Sequence, residues 1–162
     1  MLKAICLPLA LVISTQCMAD LKVVEPPALC AALSDQGLKG GEWTDYGDDL
    51  SGCASDPKDI GVGHPVANSL AFYVTGTGTA ANQVKLVVSF HEPKTPGLAI
   101  NALGKASEKL APMALGVPLP NAVKKAIVLG QPMTLSAGTG SIEVVRERWP
   151  DGKGYEVQVI MN

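Results

Sequence analysis

A hairpin-forming stretch between residues 70 and 90 constrains the fold of this chain more than any other part of it. Apolar side chains occupy every second position on both sides of a glycine- and threonine-rich turn at residues 75–80. This alternation places the apolar side chains on one face of two antiparallel strands, and another layer must cover that face. The predicted inward residues are Leu70, Phe72, Val74, Val84, Leu86, Val88 and Phe90.

A predicted helix follows the hairpin directly and can form the covering layer. Thr95 supplies a capping hydroxyl, and Pro96 fits the first helical turn. Apolar and small residues then recur at helical spacing, and the pattern predicts that the helix ends before Pro112. The residues expected to face the sheet are Ile100, Leu103, Ala106, Ser107 and Leu110.

Two more helices are predicted on either side of this central unit. The first begins at Pro27 and ends at Gly37, with Cys30 in its middle. The other covers residues 120–129, where an apolar stripe is followed by Gly130 as a stop.

Three strands joined by tight turns are predicted in the C-terminal part of the chain. They cover residues 133–135, 142–149 and 155–161, and the turn at 151–154 is the clearest hairpin signal. With the central hairpin they predict an α+β fold, a mainly antiparallel sheet of about five strands with two or three helices packed on one face. We expect one domain over residues 20–162.

The alternation of apolar residues slips in the second of these strands, at Val144 and Val145. The slip predicts a β-bulge, and every side chain after a bulge changes face. Arg146 and Arg148 are then expected on the face opposite Trp149. These three residues form one candidate partner-binding patch, because arginine and tryptophan carry many binding hot spots.

The first nineteen residues have the pattern of an export signal. Lys3 provides the positive charge, residues 4–13 form the apolar run, and cleavage is predicted after Ala19. The apolar run is shorter than the roughly twenty residues of a membrane-spanning helix, so we expect no anchor. A lipoprotein signal with Cys17 as the acylated residue is disfavoured by the residues at 14–16. The sequence therefore predicts a periplasmic protein.

Removal of this leader leaves a mildly acidic chain with two cysteines. The loss of Lys3 reduces the 13 basic residues to 12 against 15 acidic ones, a net charge of −3. Such a balance disfavours a nucleic-acid surface. Cys6 and Cys17 leave with the leader, and Cys30 and Cys53 are expected to form a disulfide, as an even pair in an exported protein does.

Residues 39–63 predict a long loop, because glycines recur and neither a helical nor a strand period is sustained. The disulfide would close about 24 residues, contribute roughly 3 kcal/mol on chain-entropy grounds and tether the loop to the first helix. A redox role for the cysteines is disfavoured, since redox pairs usually have the close spacing C-x-x-C. Trp43 and Tyr46 in this loop form the other candidate partner-binding patch.

The sequence contains no recognisable catalytic or metal-binding pattern. The acidic residues of the 39–63 segment lack the register of a calcium loop, and we interpret them as solvated. His64 and His91 belong to no zinc-binding spacing. No nucleophile elbow occurs, and the G-x-G pairs lie between strands rather than before a helix. We therefore expect no enzyme, no cofactor and no metal.

These features favour a protein that binds another protein. In element order the body of the chain resembles the compact α+β folds of secretion chaperones and of small exported bacterial inhibitor and immunity proteins. We expect the partner in the cell envelope, as a secreted toxin or a cell-wall hydrolase that the chain neutralises. The alternative is a structural or accessory subunit of an envelope or secretion assembly, which would use an exposed sheet edge for strand addition.

Overall fold

The computed structural model describes residues 20–162 and has an α+β fold in which one antiparallel sheet carries three helices. The leader predicted at residues 1–19 lies outside the described residues. The helices are α1 (Pro26–Cys30), α2 (Gly97–Leu115) and α3 (Asn121–Leu129). The strands are β1 (Thr44–Gly47), β2 (Leu50–Ala54), β3 (Lys58–Ile60), β4 (Asn68–Thr77), β5 (Ala80–Phe90), β6 (Met133–Ala137), β7 (Gly140–Arg148) and β8 (Tyr155–Met161).

The sheet runs in the order β1, β2, β4, β5, β8, β7, β6, and β3 pairs with β4 on the same edge as β2. The prediction of an α+β class with an antiparallel sheet is confirmed, but residues 20–162 form eight strands rather than about five. The additional strands are β1, β2 and β3, which lie in the segment that we predicted as a loop at residues 39–63. These strands are short and carry no sustained alternation, so their pairing defines them: β2 and β3 pair with β4, and β1 pairs with β2.

The central hairpin and α2 form the core as the sequence predicts. Phe72 lies opposite Leu86 across β4 and β5, and every predicted inward residue of the hairpin is buried. From α2, Leu103 is fully buried against this face. The Ser107 hydroxyl, also buried, donates a hydrogen bond of 2.8 Å to the Leu103 carbonyl. The polar group is thereby satisfied inside an apolar layer.

The helix α1 is shorter than predicted, and Cys30 is its last residue rather than its middle. The carbonyl of Cys30 accepts a hydrogen bond of 2.8 Å from the N–H of Gly40. The N–H of Ser34 instead donates to the carbonyl of Ala31, so the chain tightens into a 3₁₀ turn. That turn ends at Gly37, the predicted stop, with a left-handed φ of 74°.

The helix α2 continues through Pro112, so the prediction that it ends before this residue is wrong. Proline lacks the N–H that would bond the carbonyl of Glu108, and Glu108 is exposed, so water can satisfy that carbonyl. Beyond the proline, Ala114 and Leu115 are fully buried, and their packing stabilises the last turn. The helix ends at Gly116, where φ is 76°.

No bulge interrupts the pairing of β7 with β8, which corrects our prediction at Val144 and Val145. The register is continuous from Ile142 opposite Met161 to Arg148 opposite Tyr155. Because strand side chains alternate, the two arginines at 146 and 148 share the core face with Val144. The apolar alternation slips here because Val144 is buried on the core face and Val145, on the opposite face, is half-buried.

The two ends of the described chain meet the turn between β6 and β7. The N–H of Asp20 donates to the carbonyl of Thr139 at 3.2 Å, and Leu21 beside it is buried. Asn162 and Ser141 exchange two backbone hydrogen bonds of 2.8 and 3.1 Å. Across residues 20–162, no helix combines the length and the apolar character needed to cross a membrane.

Candidate partner-binding surface

Trp43 lies just before β1 and holds two distant parts of the chain together. Its indole Nε1 donates a hydrogen bond of 2.8 Å to the carbonyl of Gly78, in the turn between β4 and β5. The ring is half-buried and packs against the hydrophobic core. This residue therefore connects the segment before β1 to the central hairpin, and only part of its ring is open to solvent.

Tyr46 lies in β1, the outermost strand on this side of the sheet. Its side chain is 64 % exposed, and all four residues of β1 are exposed. After β1 the chain turns through Asp48 and Asp49, which both have positive φ angles of 51° and 59°. Aspartate tolerates this left-handed region better than most residues, and it permits the tight hairpin into β2.

Cys30 and Cys53 form a disulfide between the end of α1 and β2, with their Cα atoms 6.1 Å apart. Both cysteines are buried. Gly40 passes so close to the bond that an added Cβ would lie 2.8 Å from the Cys30 carbonyl oxygen and 3.1 Å from the Cys53 sulfur. The bond thus fixes the base of the segment that carries Trp43 and Tyr46.

Trp149 follows β7 and packs into the corner formed by the β7–β8 turn. A Cβ on Gly154 would lie 2.3 Å from the indole ring, so only glycine allows this approach. On its other side the indole meets the imidazole of His91, with ring centroids 4.8 Å apart. The side chain is half-buried, which indicates a packing role beside any contact with a partner.

Arg146 and Arg148 are exposed at the end of β7. The guanidinium carbon of Arg146 lies 4.2 Å from the centroid of the Tyr155 ring. Tyr155 in turn stacks on Phe90, with centroids 4.4 Å apart and planes 17° from parallel. The arginine therefore rests on an aromatic pair that is anchored in the core.

A cavity of about 300 Å³, which we call the arginine pocket, opens between β7 and the β7–β8 turn. Lys153 and Tyr155 belong to it but were not predicted as site residues. The register of β7 with β8, read without a bulge, would have placed Tyr155 beside Arg148. The arginine pocket is lined by Pro93, Arg146, Arg148, Gly152, Lys153, Gly154 and Tyr155.

The two candidate patches do not form one surface. Asp45, beside Tyr46, pairs with Ser51 in β2, which lies at the β4–β5 turn end of the sheet. Arg148 pairs with Tyr155, which pairs with Phe90 at the opposite end of β5. The patches also approach opposite edges of the sheet, through β1 and through β7. A partner that contacted both patches would have to span the sheet diagonally.

Charged side chains elsewhere make two surface ion pairs among the described residues. The Lys109 ammonium donates a hydrogen bond to the Asp35 carboxylate, and Lys124 pairs with Glu108 at 2.6 Å. The hydrogen bond from Lys109 lowers the pKa of Asp35 below its usual value of 3.8. Both pairs are partly exposed, so their contribution to stability is small.

Within residues 20–162, no three histidine, cysteine, aspartate or glutamate side chains cluster in a way that could hold a metal ion. Comparison of the chain with models of known families, with curated proteins and with solved structures finds no match.

Proposed function

We propose that this chain is an exported protein that binds another protein in the cell envelope, and that it neutralises a secreted toxin or a cell-wall hydrolase as an immunity or inhibitor protein. The observation that carries the proposal is the arginine pocket. There, two exposed arginines extend from a paired strand beside the stacked rings of Tyr155 and Phe90. Arginine and aromatic side chains held rigid at a surface are typical binding hot spots.

Pre-organisation supports the same proposal at the other patch. The disulfide and the hydrogen bond of Trp43 restrain the segment before β1, while Tyr46 stays exposed on that strand. A restrained contact residue loses less conformational freedom on binding, which favours affinity. Trp43 and Trp149 contribute to this proposal chiefly as supports, since both are half-buried in packing contacts.

Export is part of the proposal and rests on the leader pattern at residues 1–19. Cleavage after Ala19 would leave Asp20 first and place the protein in the periplasm. The intact mass of protein recovered from a periplasmic extract tests this step. The mass expected is that of residues 20–162 less two hydrogens for the disulfide, whereas a lipid-modified mass starting at Cys17 contradicts it.

The binding proposal is tested by capture followed by an activity assay. The immobilised protein of residues 20–162 is exposed to envelope and culture-medium fractions, and captured proteins are identified by mass spectrometry. The expected partner is a toxin or cell-wall hydrolase whose activity falls to background when the chain is added at a one-to-one ratio. A captured enzyme that keeps its full activity contradicts neutralisation.

A second candidate function is an accessory subunit of an envelope or secretion assembly, and the exposed edge of β1 favours it. The strand has one unpaired edge and four exposed residues, which is the geometry that accepts an added strand from a partner. Recovery of the chain with a multi-subunit envelope assembly, and not with an enzyme, would select this alternative.

A further inference from the structure

We infer that the arginine pocket is the docking point for an acidic segment of the partner protein, in which aspartate or glutamate carboxylates meet Arg146, Arg148 and Lys153. The inference rests on the proposed function and adds the chemistry of the partner to it.

The three cations of the pocket have no carboxylate within 4.0 Å among the described residues, where the only ion pairs are those of Lys109 and Lys124. The side chain of Glu147 lies between the two arginines in sequence but points to the opposite sheet face, because strand side chains alternate. Asp151 accepts a hydrogen bond of 3.0 Å from the backbone N–H of Lys153 and closes the turn. Each guanidinium therefore keeps N–H groups that can donate hydrogen bonds to an external carboxylate.

The position of the Arg146 guanidinium is set by contacts inside the chain. Arg146 rests on the Tyr155 ring, and its guanidinium also passes the end of α3, where a Cβ on Gly130 would lie 3.4 Å from one of its nitrogens. The negative end of a helix dipole attracts a cation at this point. Lys153 projects from a turn closed by Asp151. A carboxylate entering the pocket thus meets donors that need little reordering.

The floor of the pocket suits a short acidic side chain better than a bare ion. The Tyr155 ring lies under the Arg146 guanidinium, and Pro93 also lines the pocket. The methylene groups of aspartate or glutamate can cover that surface while the carboxylate reaches the guanidinium of Arg148. A planar guanidinium can bind both oxygens of a carboxylate at once.

The pocket brings together three of the twelve basic residues of a segment that is acidic overall. Residues 20–162 carry a net charge of −3, and Glu147 and Asp151 are close to the pocket in sequence. A long polyanion such as a nucleic acid would be repelled beyond the pocket. A segment with a few carboxylates places its charge only where the cations are.

The inference is tested with the folded protein of residues 20–162 and a short oligoglutamate peptide that is acetylated and amidated at its ends. Amide resonances are followed by two-dimensional NMR as peptide is added at low and at physiological salt. We expect saturable shifts at the amides of Gly152, Lys153, Gly154 and Tyr155, with affinity falling as salt rises. An oligolysine peptide of equal length should cause no such shifts.

Variants locate the effect. Arg148→Gln should weaken peptide binding by about tenfold or more, as expected for a central charged contact. Lys125→Gln removes an exposed cation of α3 that does not line the pocket, and it should leave binding unchanged. Arg146→Gln should also weaken binding, but because Arg146 packs on Tyr155 its spectrum and melting temperature must match the parent for the comparison to count. Arg148 has no such packing contact and decides the case alone if Arg146→Gln is misfolded.

Three results would overturn the inference: no saturable shifts at millimolar peptide, equal binding by Arg148→Gln and by the parent, or binding of inorganic phosphate as tight as that of the peptide. The last result would assign the pocket to a free anion. The proposed function is judged separately by capture. If a captured toxin binds Arg148→Gln as tightly as it binds the parent, the proposed function stands, but the arginine pocket is not its docking point.

Discussion

The indole N–H of Trp43 bonds the carbonyl oxygen of Gly78 across 35 residues of sequence. We expect Trp43→Phe to lower the free energy of unfolding by about 1 kcal/mol, because the phenyl ring keeps most of the packing but leaves this hydrogen bond unmade. Denaturant unfolding followed by circular dichroism measures the change. The control is Tyr46→Phe on the exposed edge strand, where we expect a change below about 0.5 kcal/mol. Equal changes in unfolding free energy for the two variants would contradict a structural role for the Trp43 hydrogen bond.

Leu103 provides a test of the interface between the central hairpin and α2. Leu103→Ala should cost about 2 to 5 kcal/mol, because the side chain is fully buried and its removal leaves a cavity. Leu98 lies in the same helix but is 66 % exposed, so Leu98→Ala should cost below about 0.5 kcal/mol. Chemical unfolding of both variants under the same conditions gives the comparison. A cost under half of one kcal/mol for Leu103→Ala would contradict the described packing.

The disulfide should be present in the mature protein and should contribute to its stability. We expect no free thiol when the protein is denatured without reductant and treated with a thiol reagent. The double variant Cys30→Ala and Cys53→Ala should lose roughly 2 to 4 kcal/mol of unfolding free energy, mainly through a less restricted unfolded chain. Two free thiols in the assay would contradict the bond, and an unchanged unfolding midpoint would contradict its contribution.

Gly154 offers a test of the corner that supports Trp149. An added Cβ would lie 2.3 Å from the indole ring and 2.6 Å from the backbone oxygen of Phe90, so Gly154→Ala should destabilise the protein by about 1 to 3 kcal/mol. Gly104→Ala is the matched control, since no atom lies within 4 Å of that Cβ and alanine favours a helix. The control should stabilise by roughly 0.5 to 1 kcal/mol. Melting temperatures that move in the same direction would contradict the close approach at Gly154.

The pair formed by Asp35 and Lys109 predicts a dependence on acid. Lys109 lowers the pKa of Asp35 below 3.8, so the stabilisation from this pair is present above about pH 3.8 and is lost as the pH falls through the folded-state pKa. In Lys109→Gln we expect the pKa of Asp35 to return toward its ordinary value in a carboxyl NMR titration. Lys124→Gln breaks the other ion pair and should leave the titration of Asp35 unchanged. If the pKa of Asp35 rose equally in both variants, the effect would come from the loss of one positive charge anywhere on the protein and not from the contact with Lys109.

The elements that the sequence predicts well are those whose own side chains carry the signal. Leu70, Phe72 and Val74 alternate because one face of β4 is buried, so the strand is visible from its residues alone. β1 and β2 are different, because all of β1 is exposed and the buried part of β2 is Ser51, Gly52 and Cys53. Exposed or small residues give no periodic apolar signal, and the conformation depends on pairing, of β2 with β4 and of β1 with β2.

The candidate site was predictable only in part, and for related reasons. Arg146 and Arg148 were found because exposed arginines near a tryptophan stand out in a sequence with few aromatic residues. The predicted bulge was wrong, because Val144 and Val145 break the apolar alternation only in that the outward valine is half-buried. Lys153 joins them through the geometry of a turn. Trp43 depends on a bond to Gly78, which no local pattern reveals.

The contacts of Asp20 and Asn162 at the β6–β7 turn bring these two residues close together in space. Both residues meet backbone within the stretch 139–141, so a short glycine linker could join residue 162 to residue 20 without crossing the fold. New ends could then be opened in the exposed stretch 61–66 between β3 and β4. In such a circular permutant the central hairpin and α2 would stay contiguous. The segment with Cys30 would be synthesised after β8. The native arrangement of contacts would then be reached by a different order of synthesis.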